Sequence, residues 1–509
     1  MQFAVAQQES NFIKDLEYYN TLKVADNLFK NASYSDAIFY YDQLYKYRNS
    51  DAQIAYKLGV CIVEAGKFKL ESIPYLKQAI GEGIHSANYY LGKAYHIMGN
   101  FEMAKYCYDI YKTNSDKNEQ KRVGLTKAYA LCDTAEYMIK HPKQIEIRNI
   151  GSEINTEFSE YGPVFTGNMS ELYFTSRREG SKGNQVEADG QFYEDIWMSR
   201  KSDNQWLPAE NGGSLLNSNE HDAIVTITPD GNEALIYRSD PYSGEDNFYS
   251  VKRSGKEWSI PLKLSINVNS PSQELSATLS NDGQILIFSS NRKGGFGGFD
   301  LYKSERKRNG VFGPAVNLGP TINTSGNEES PFLHANGRNL YFSSNGHASN
   351  MGGYDVYLTT FNDSLKWSKP MNLGYPLNTT DDDLYFSLSA DMMKGYISGT
   401  RKGTLGDHDI FEVAFKEDTS GLTLVQGNVY DTRDSKNIEV EINIYNKENK
   451  NLIYTSKSNG YTGNYSLIFS SKNPVIIKFS YSNTFEEVEI EGTTDKKFRN
   501  IIKDIKFGN

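Results

Sequence analysis

The spacing of apolar positions changes twice along the chain. From about residue 20 to 139 they recur every three or four residues, the period of a helix buried along one face. From Glu160 to Asp409 the pattern becomes short strand-like runs, and after Lys416 it becomes alternating strands joined by polar, Gly-containing turns. The middle region repeats one unit: an acid, an apolar strand, an Asp or Asn turn, an aromatic strand, then an Asp that opens a third strand. The acids are Glu160, Asp222, Glu274, Glu328 and Asp383, the turn residues Asn168, Asp230, Asp282, Asn336 and Asp391, and the third-strand residues Asp195, Asp246, Asp300, Asp355 and Asp409. The turns recur every 52 to 62 residues, a period that predicts a β-propeller. Between units runs an apolar residue, Asn and Ser or Thr, as in Leu216-Asn217-Ser218, Val268-Asn269-Ser270, Ile322-Asn323-Thr324 and Leu377-Asn378-Thr379. The fifth copy, Ile154-Asn155-Thr156, precedes the first unit, so five blades are expected, with residues 144–156 completing the last one and removing the free sheet edge.

In the helical region small residues sit at fixed offsets: Leu91-Gly92-x-x-Tyr95 with Gly99, Ala104 and Tyr108, and Leu58-Gly59-x-x-Ile62 with Gly66, Ser72 and Tyr75. A third copy runs through Ala25, Tyr34, Ala37 and Tyr41. This spacing resembles the tetratricopeptide repeat and implies an α-helical solenoid over residues 1–141 whose concave face binds a protein partner, with His141-Pro142 as the hinge into a propeller over 142–420. Residues 421–509 predict a small antiparallel β-sandwich. Val425-Gln-Gly427-Asn-Val429-Tyr-Asp431 and Asn459-Gly-Tyr-Thr-Gly463-Asn-Tyr465 there resemble the carboxypeptidase-regulatory-like module.

The net charge of −10 lies in the middle region, which holds 25 basic and 37 acidic side chains, against 17 and 16 before it and 12 and 11 after it. An acidic ring repels phosphate, which argues against nucleic acid as a partner. No apolar run is long enough to span a membrane. Residues 3–7 read like the end of a secretory signal with an Ala-x-Ala site. Cys61, Cys107 and Cys132 fall in the helical region and read as small core residues.

Nucleophile elbows, phosphate loops and His-Glu-x-x-His zinc motifs are missing from the sequence, so no catalytic residue, metal site or cofactor is assigned and a non-enzyme is expected. His408 reads as a turn residue, and Lys293–Gly298 and Asn350–Gly353 join strands rather than opening a helix, which argues against anion capture. The third-strand Asp residues read as turn-fixing groups. Two roles are open for Glu160, Asp222, Glu274, Glu328 and Asp383. They could form a ring at one channel mouth that binds a cation or basic peptide, or staple neighbouring blades. Five close anions without counter-charges would cost stability, which favours the staple.

The motifs Tyr341-Phe-Ser-Ser-Asn345 and Gly352-Gly-Tyr-Asp355-Val-Tyr357, with their counterparts in the other units, resemble TolB-like PD40 repeats. Helical repeats, such a propeller and a regulatory-like sandwich occur in that order in the PorE-type envelope proteins of the Bacteroidota type IX secretion system. The resemblance implies a non-enzymatic periplasmic scaffold associated with the outer membrane, working beside β-barrels of the PorP/SprF kind. Members of that family end in an OmpA-like peptidoglycan-binding module, which the chain does not show up to Asn509, so peptidoglycan binding is not implied. The alternatives are a glycan-binding receptor, for which Tyr430, Tyr445, Tyr454, Tyr461 and Tyr465 would have to form an exposed row, and the regulatory part of a hydrolase.

Overall fold

The computed structural model describes residues 17–508 except 66–68, 188, 240–245, 363–365 and 417–420, so the signal-like residues 3–7 and the Gly66 marker lie outside the described residues. Contacts divide the chain into one unit of Met1–His141 with Val186–Gln191, and a second of Pro142–Gln185 with Phe192–Asn509.

The second unit contains five blades of antiparallel strands. The third blade runs from the inside outward through Glu274–Leu279, Ile285–Ser290, Asp300–Glu305 and Val316–Asn317, and the others follow the same plan. The last blade is built from Leu384–Leu388, Lys394–Gly399 and Asp409–Phe415, and its outermost strand is Ile145–Asn149, from ahead of the first blade. Second strands read as unbroken apolar runs because both of their faces are covered. Leu286 and Phe288 join a core with Leu235 and Phe248 of the preceding blade, while Ile287, between them, packs with Leu340 and Phe342 of the next.

The inter-blade Asn is what locks each blade to its successor. Asn323 accepts from Leu301 N at 2.8 Å and donates to Leu301 O at 3.0 Å, and the adjoining Thr324 reaches forward to Glu328. Asn155 repeats the first half of this across the closure, bonding Ile410 N and O at 2.9 Å each.

The C-terminal sandwich sets Leu422–Asp431 and Asn464–Ser470 against a sheet of Leu452–Lys457, Glu441–Asn446, Val475–Tyr481 and Thr484–Ile490, around a core that includes Val425, Ile442, Leu467, Ile477 and Phe479. It is not wholly antiparallel, because Arg499–Ile502 and Ile505–Phe507 pair parallel to Leu422–Asp431. Its proposed aromatic row does not form: Tyr465 is buried with its hydroxyl on Lys503 O, Tyr454 bonds Ile468 O, and Tyr461 lies exposed beside Lys256.

The expected tetratricopeptide solenoid is corrected. The chain is dominated by small antiparallel sheets, and the helical region is a run of short helices of unequal length. Residues 17–30 are followed by Tyr34–Tyr47, Ala52–Ala65, Ser72–Gly81, Ala87–Ile97, Phe101–Thr113, the six-residue Lys117–Arg122 and Leu125–Lys140. The small residues that suggested a repeat mark individual helix contacts. A Cβ on Gly92 would stand 2.3 Å from the Tyr108 ring, and one on Gly59 2.8 Å from Leu76. Close approach of two helices demands Gly wherever it occurs, so the motif reports a pair and not a propagating array. The three cysteines are buried and free, with burial pushing the Cys61 thiol up to about 12.

Candidate binding site at the channel mouth

The five repeated acids lie at 0–1% exposure, at the starts of the inner strands. Glu274 accepts from Ser270 N at 3.0 Å, Ser270 Oγ at 2.7 Å, Ser290 Oγ at 2.7 Å and Arg292 Nη2 at 3.0 Å. Glu160 has the same partners in Thr156, Ser176 and Arg178. Asp222 is held by Ser218 and Arg238, Asp383 by Thr379 and Arg401, and Glu328 by Thr324 and Ser344. Arg292 also donates to Val268 O at 2.7 Å, and in the fourth blade His347 bonds the equivalent Ile322 O at 3.0 Å. These carboxylates are drawn into the inter-blade loops. Burial raises Glu160, Asp222 and Glu328 above the usual carboxylate range and brings Asp383 to about 7 despite Arg401.

The third-strand acids fix turns. Asp300 accepts from Phe296 N at 2.7 Å, Gly297 N at 3.1 Å and Asn317 Nδ2 at 2.7 Å, and Asp195, Asp355 and Asp409 bond their own loops and Asn211, Asn372 and Asn149 in the same way. Asp246 accepts from Ser239 Oγ at 2.8 Å. His408 sits in the corresponding loop of the last blade. Burial alone would lower its pKa, but Asp407, Asp382 and Asp381 raise it. Among the described residues no group of His, Cys, Asp and Glu could hold a metal ion.

The residues that face the channel are different ones. Each inner strand carries a register shift within four residues of its acid, between Tyr161 and Val164 in the first blade, between Glu274 and Ala277 in the third and between Leu384 and Ser387 in the last. Such bulges re-aim side chains. At the bulge the first blade has Gly162 at φ +64° and the fourth Ser330 at +50°, but the fifth has Tyr385 at +54°. A large side chain in the left-handed region is strained by about 1–3 kcal/mol, and such strain gathers where geometry serves a ligand.

Tyr385 stacks on Tyr161, with ring centroids 5.7 Å apart and planes 29° apart. The Tyr161 hydroxyl donates to Glu194 Oε1 at 3.2 Å, and Glu194 also takes Arg177 at 3.6 Å and the His221 ring. His221 in turn stacks on Tyr193 at 3.9 Å. Burial would raise Glu194, but His221 and Arg177 together hold it below the usual range. Glu329 is shifted the other way, by burial and by Asp382 and Glu328, against a 2.7 Å hydrogen bond from the Tyr354 hydroxyl. Burial raises the Tyr385 hydroxyl, with Glu329 and Glu194 adding to the shift.

Behind the tyrosines the channel encloses a cavity of about 90 Å³, between walls that include Phe165, Thr175, Thr278 and Phe332. Leu275, beside the acid of the third blade, is 38% exposed at that mouth. Reasoning from the sequence missed this set because it looked for equivalent residues. The position after the repeated acid is Tyr161, Ala223, Leu275, Glu329 and Leu384 in the five blades, and the only signal was this inequality.

No family model and no curated protein matches the chain. Similar solved structures include a thermostable family-43 glycoside hydrolase (12% identity, TM-score 0.34, 52% of this chain and 93% of the other). An α-L-arabinanase from Penicillium chrysogenum complexed with arabinobiose is also similar (11%, 0.35, 52% and 98%), as is an α-L-arabinofuranosidase from Lactobacillus brevis (11%, 0.33, 51% and 91%). The expected membership of the PorE-type type IX secretion proteins is therefore corrected, since these similar structures are glycoside hydrolases and none of them is such an envelope protein. The expectations of a non-enzyme and of a scaffold fall with it. Their physical basis was the missing linear motifs, and a missing motif says nothing of chemistry that uses none.

Proposed function

We propose that the protein binds a neutral carbohydrate at the channel mouth. The observation that carries this reading is the Tyr161–Tyr385 stack at the cavity wall, with the Tyr161 hydroxyl on Glu194. Tyrosine offers an apolar face with a polar tip, which suits the C–H face and hydroxyl edge of a sugar ring. Glu194 and Glu329 can accept hydroxyl hydrogen bonds. The charge on Glu194 is compensated by His221 and Arg177, and Glu329 is raised toward its neutral form, so neither of these two carboxyl groups brings an uncompensated charge to the tyrosine stack.

A second reading, hydrolysis of the bound glycan, is favoured by the unlike surroundings of two carboxyl groups, Glu194 among the Tyr161 hydroxyl, Arg177 and His221 and Glu329 under the Tyr354 hydroxyl. Environments that push two carboxyl groups apart separate an acid from a base. Glu329 has the character of the proton donor and Glu194 that of the ionised partner.

The test is an oligosaccharide array spanning pentoses, hexoses and uronic acids, followed by calorimetry on the glycans retained. Tyr161→Ala is expected to weaken binding at least tenfold. Retention of no glycan, or equal affinity in Tyr161→Ala, would overturn the binding reading. Release of new reducing ends by the wild type, lost in Glu329→Gln while binding persists, is expected for hydrolysis; no release by the wild type removes the second reading alone.

A further inference from the structure

The far end of the channel is closed, and the closure comes from the C-terminal sandwich. The turns that join first to second strands point to the face opposite the repeated acids, and the sandwich meets this face on all five blades. Ile468 is the hub. A Cβ on Gly167 of the first blade would stand 2.8 Å from Ile468 Cδ1 and 2.9 Å from Pro229 of the second. Asn281 of the third blade donates to Ile468 O at 2.6 Å. Ala335 of the fourth and Ala390 of the fifth form one apolar cluster with Leu422, Leu424, Ile468 and Phe498.

Polar bonds surround this centre on one side. Ser456 Oγ donates to Asp230 at 2.6 Å, Asn232 to Lys457 O at 2.7 Å and Asn459 to Gly255 O at 2.8 Å. Ile468 is 2% exposed and Leu424 4%. Among the described residues, an apolar stopper that touches each blade in turn covers this end of the channel, so a ligand that enters past Tyr161 and Tyr385 meets a blind end.

We infer that the site takes the end of a glycan chain and rejects an internal segment. An open channel, or a groove across the propeller face, would let a chain run on in both directions; a blind pocket stops the chain at its first residues. This inference rests on the carbohydrate reading above and adds the class of ligand: oligosaccharides with a free terminal residue.

The experiment uses the full chain on an array in which every glycan is printed twice, once with its terminal sugar free and once with that terminus extended by one further, different sugar. The expected result is that each glycan retained in the free form loses at least tenfold in signal when extended. Equal retention of free and extended forms would overturn the chain-end inference while leaving carbohydrate binding in place. Absence of retention in both forms would overturn the underlying reading and this inference together. Calorimetry with the best free glycan, repeated on the Tyr385→Gly protein, separates the two failures. Binding that survives Tyr385→Gly unchanged lies outside the channel and counts against the inference even where the array shows a terminal preference.

Discussion

His334 stands where the other blades place a hydroxyl residue, Thr166, Thr228, Ser280 or Ser389. It is 1% exposed, its Nδ1 accepts from Asn336 N at 3.3 Å, and its Nε2 faces Ser389 O at 3.0 Å, so the bonds require a neutral ring that donates from Nε2. Burial lowers its pKa, although the Ser389 carbonyl, Asn336 and Asp391 oppose the shift. A histidine whose folded pKa lies below its unfolded value leaves the unfolded chain holding more protons, so its contribution to stability is present above pH 6.5 and lost as the pH falls through the folded pKa. Urea midpoints measured from pH 7.5 to 5 are expected to drop below pH 6.5, and His334→Ser, which restores the sibling residue, should flatten that slope. An unchanged slope would assign the acid sensitivity to other groups. Tyr385 gives a second test at this scale. Replacing it by Gly, the residue at the same place in the first blade, relieves about 1–3 kcal/mol of backbone strain while removing a stack of about 0.5–1.5 kcal/mol and the burial of a half-buried ring. Tyr385→Gly should therefore lose glycan affinity while its unfolding midpoint stays close to that of the wild type, and a large drop in the midpoint would mean that the ring is required by the fold.

At the scale of elements, the blades were legible because each uses every marker once, and the markers do mechanical work. Asn155 shows how much one of them carries. Removing its side chain leaves the buried Ile410 N–H without its partner, at about 1–3 kcal/mol, while the Ile410 carbonyl keeps the bond from Ile150 N at 3.2 Å. Asn155→Ala is expected to lower stability by about 1–3 kcal/mol and to speed amide exchange in Ile145–Asn149, while Asn323→Ala, with similar chemistry inside a continuous stretch, should lower stability without loosening that strand. Equal exchange in both variants would mean that the closing strand is held by its ladder alone. The arginines beside the acids were not legible. Arg178, Arg292 and Arg401 follow their acids at one offset, but Arg238 sits at another and His347 stands in for the fourth, so no constant spacing announces them. The channel tyrosines were hidden for a deeper reason. A binding site on a symmetric scaffold is made where the blades differ, whereas periodicity shows only where they agree. The helical region misled in the opposite sense, since Gly59 and Gly92 satisfy a repeat pattern while answering only to Leu76 and Tyr108.

For the molecule as a whole, the question is whether sandwich and propeller behave as one body. The sandwich has its own core of fourteen buried residues, from Val425 to Phe507, and needs no propeller atom to bury it. The docking face is smaller and centres on Ile468, whose neighbours come from the turns of several blades. Ile468→Asp would set an unpaired carboxylate among Ala335, Ala390, Leu422 and Leu424, and burying an unpaired charge costs several kcal/mol or forces the group out into water. Undocking avoids that cost at the loss of the interface bonds, so the variant should unfold in two separate calorimetric transitions where the wild-type propeller and sandwich melt together. Tyr461→Ala, at the exposed rim beside Lys256, should keep the single wild-type transition. A single unshifted transition in Ile468→Asp would show that the polar bonds of Asp230, Asn232 and Asn459 hold the sandwich without the apolar hub, and the stopper would then have to be sought in Leu424 and Phe498.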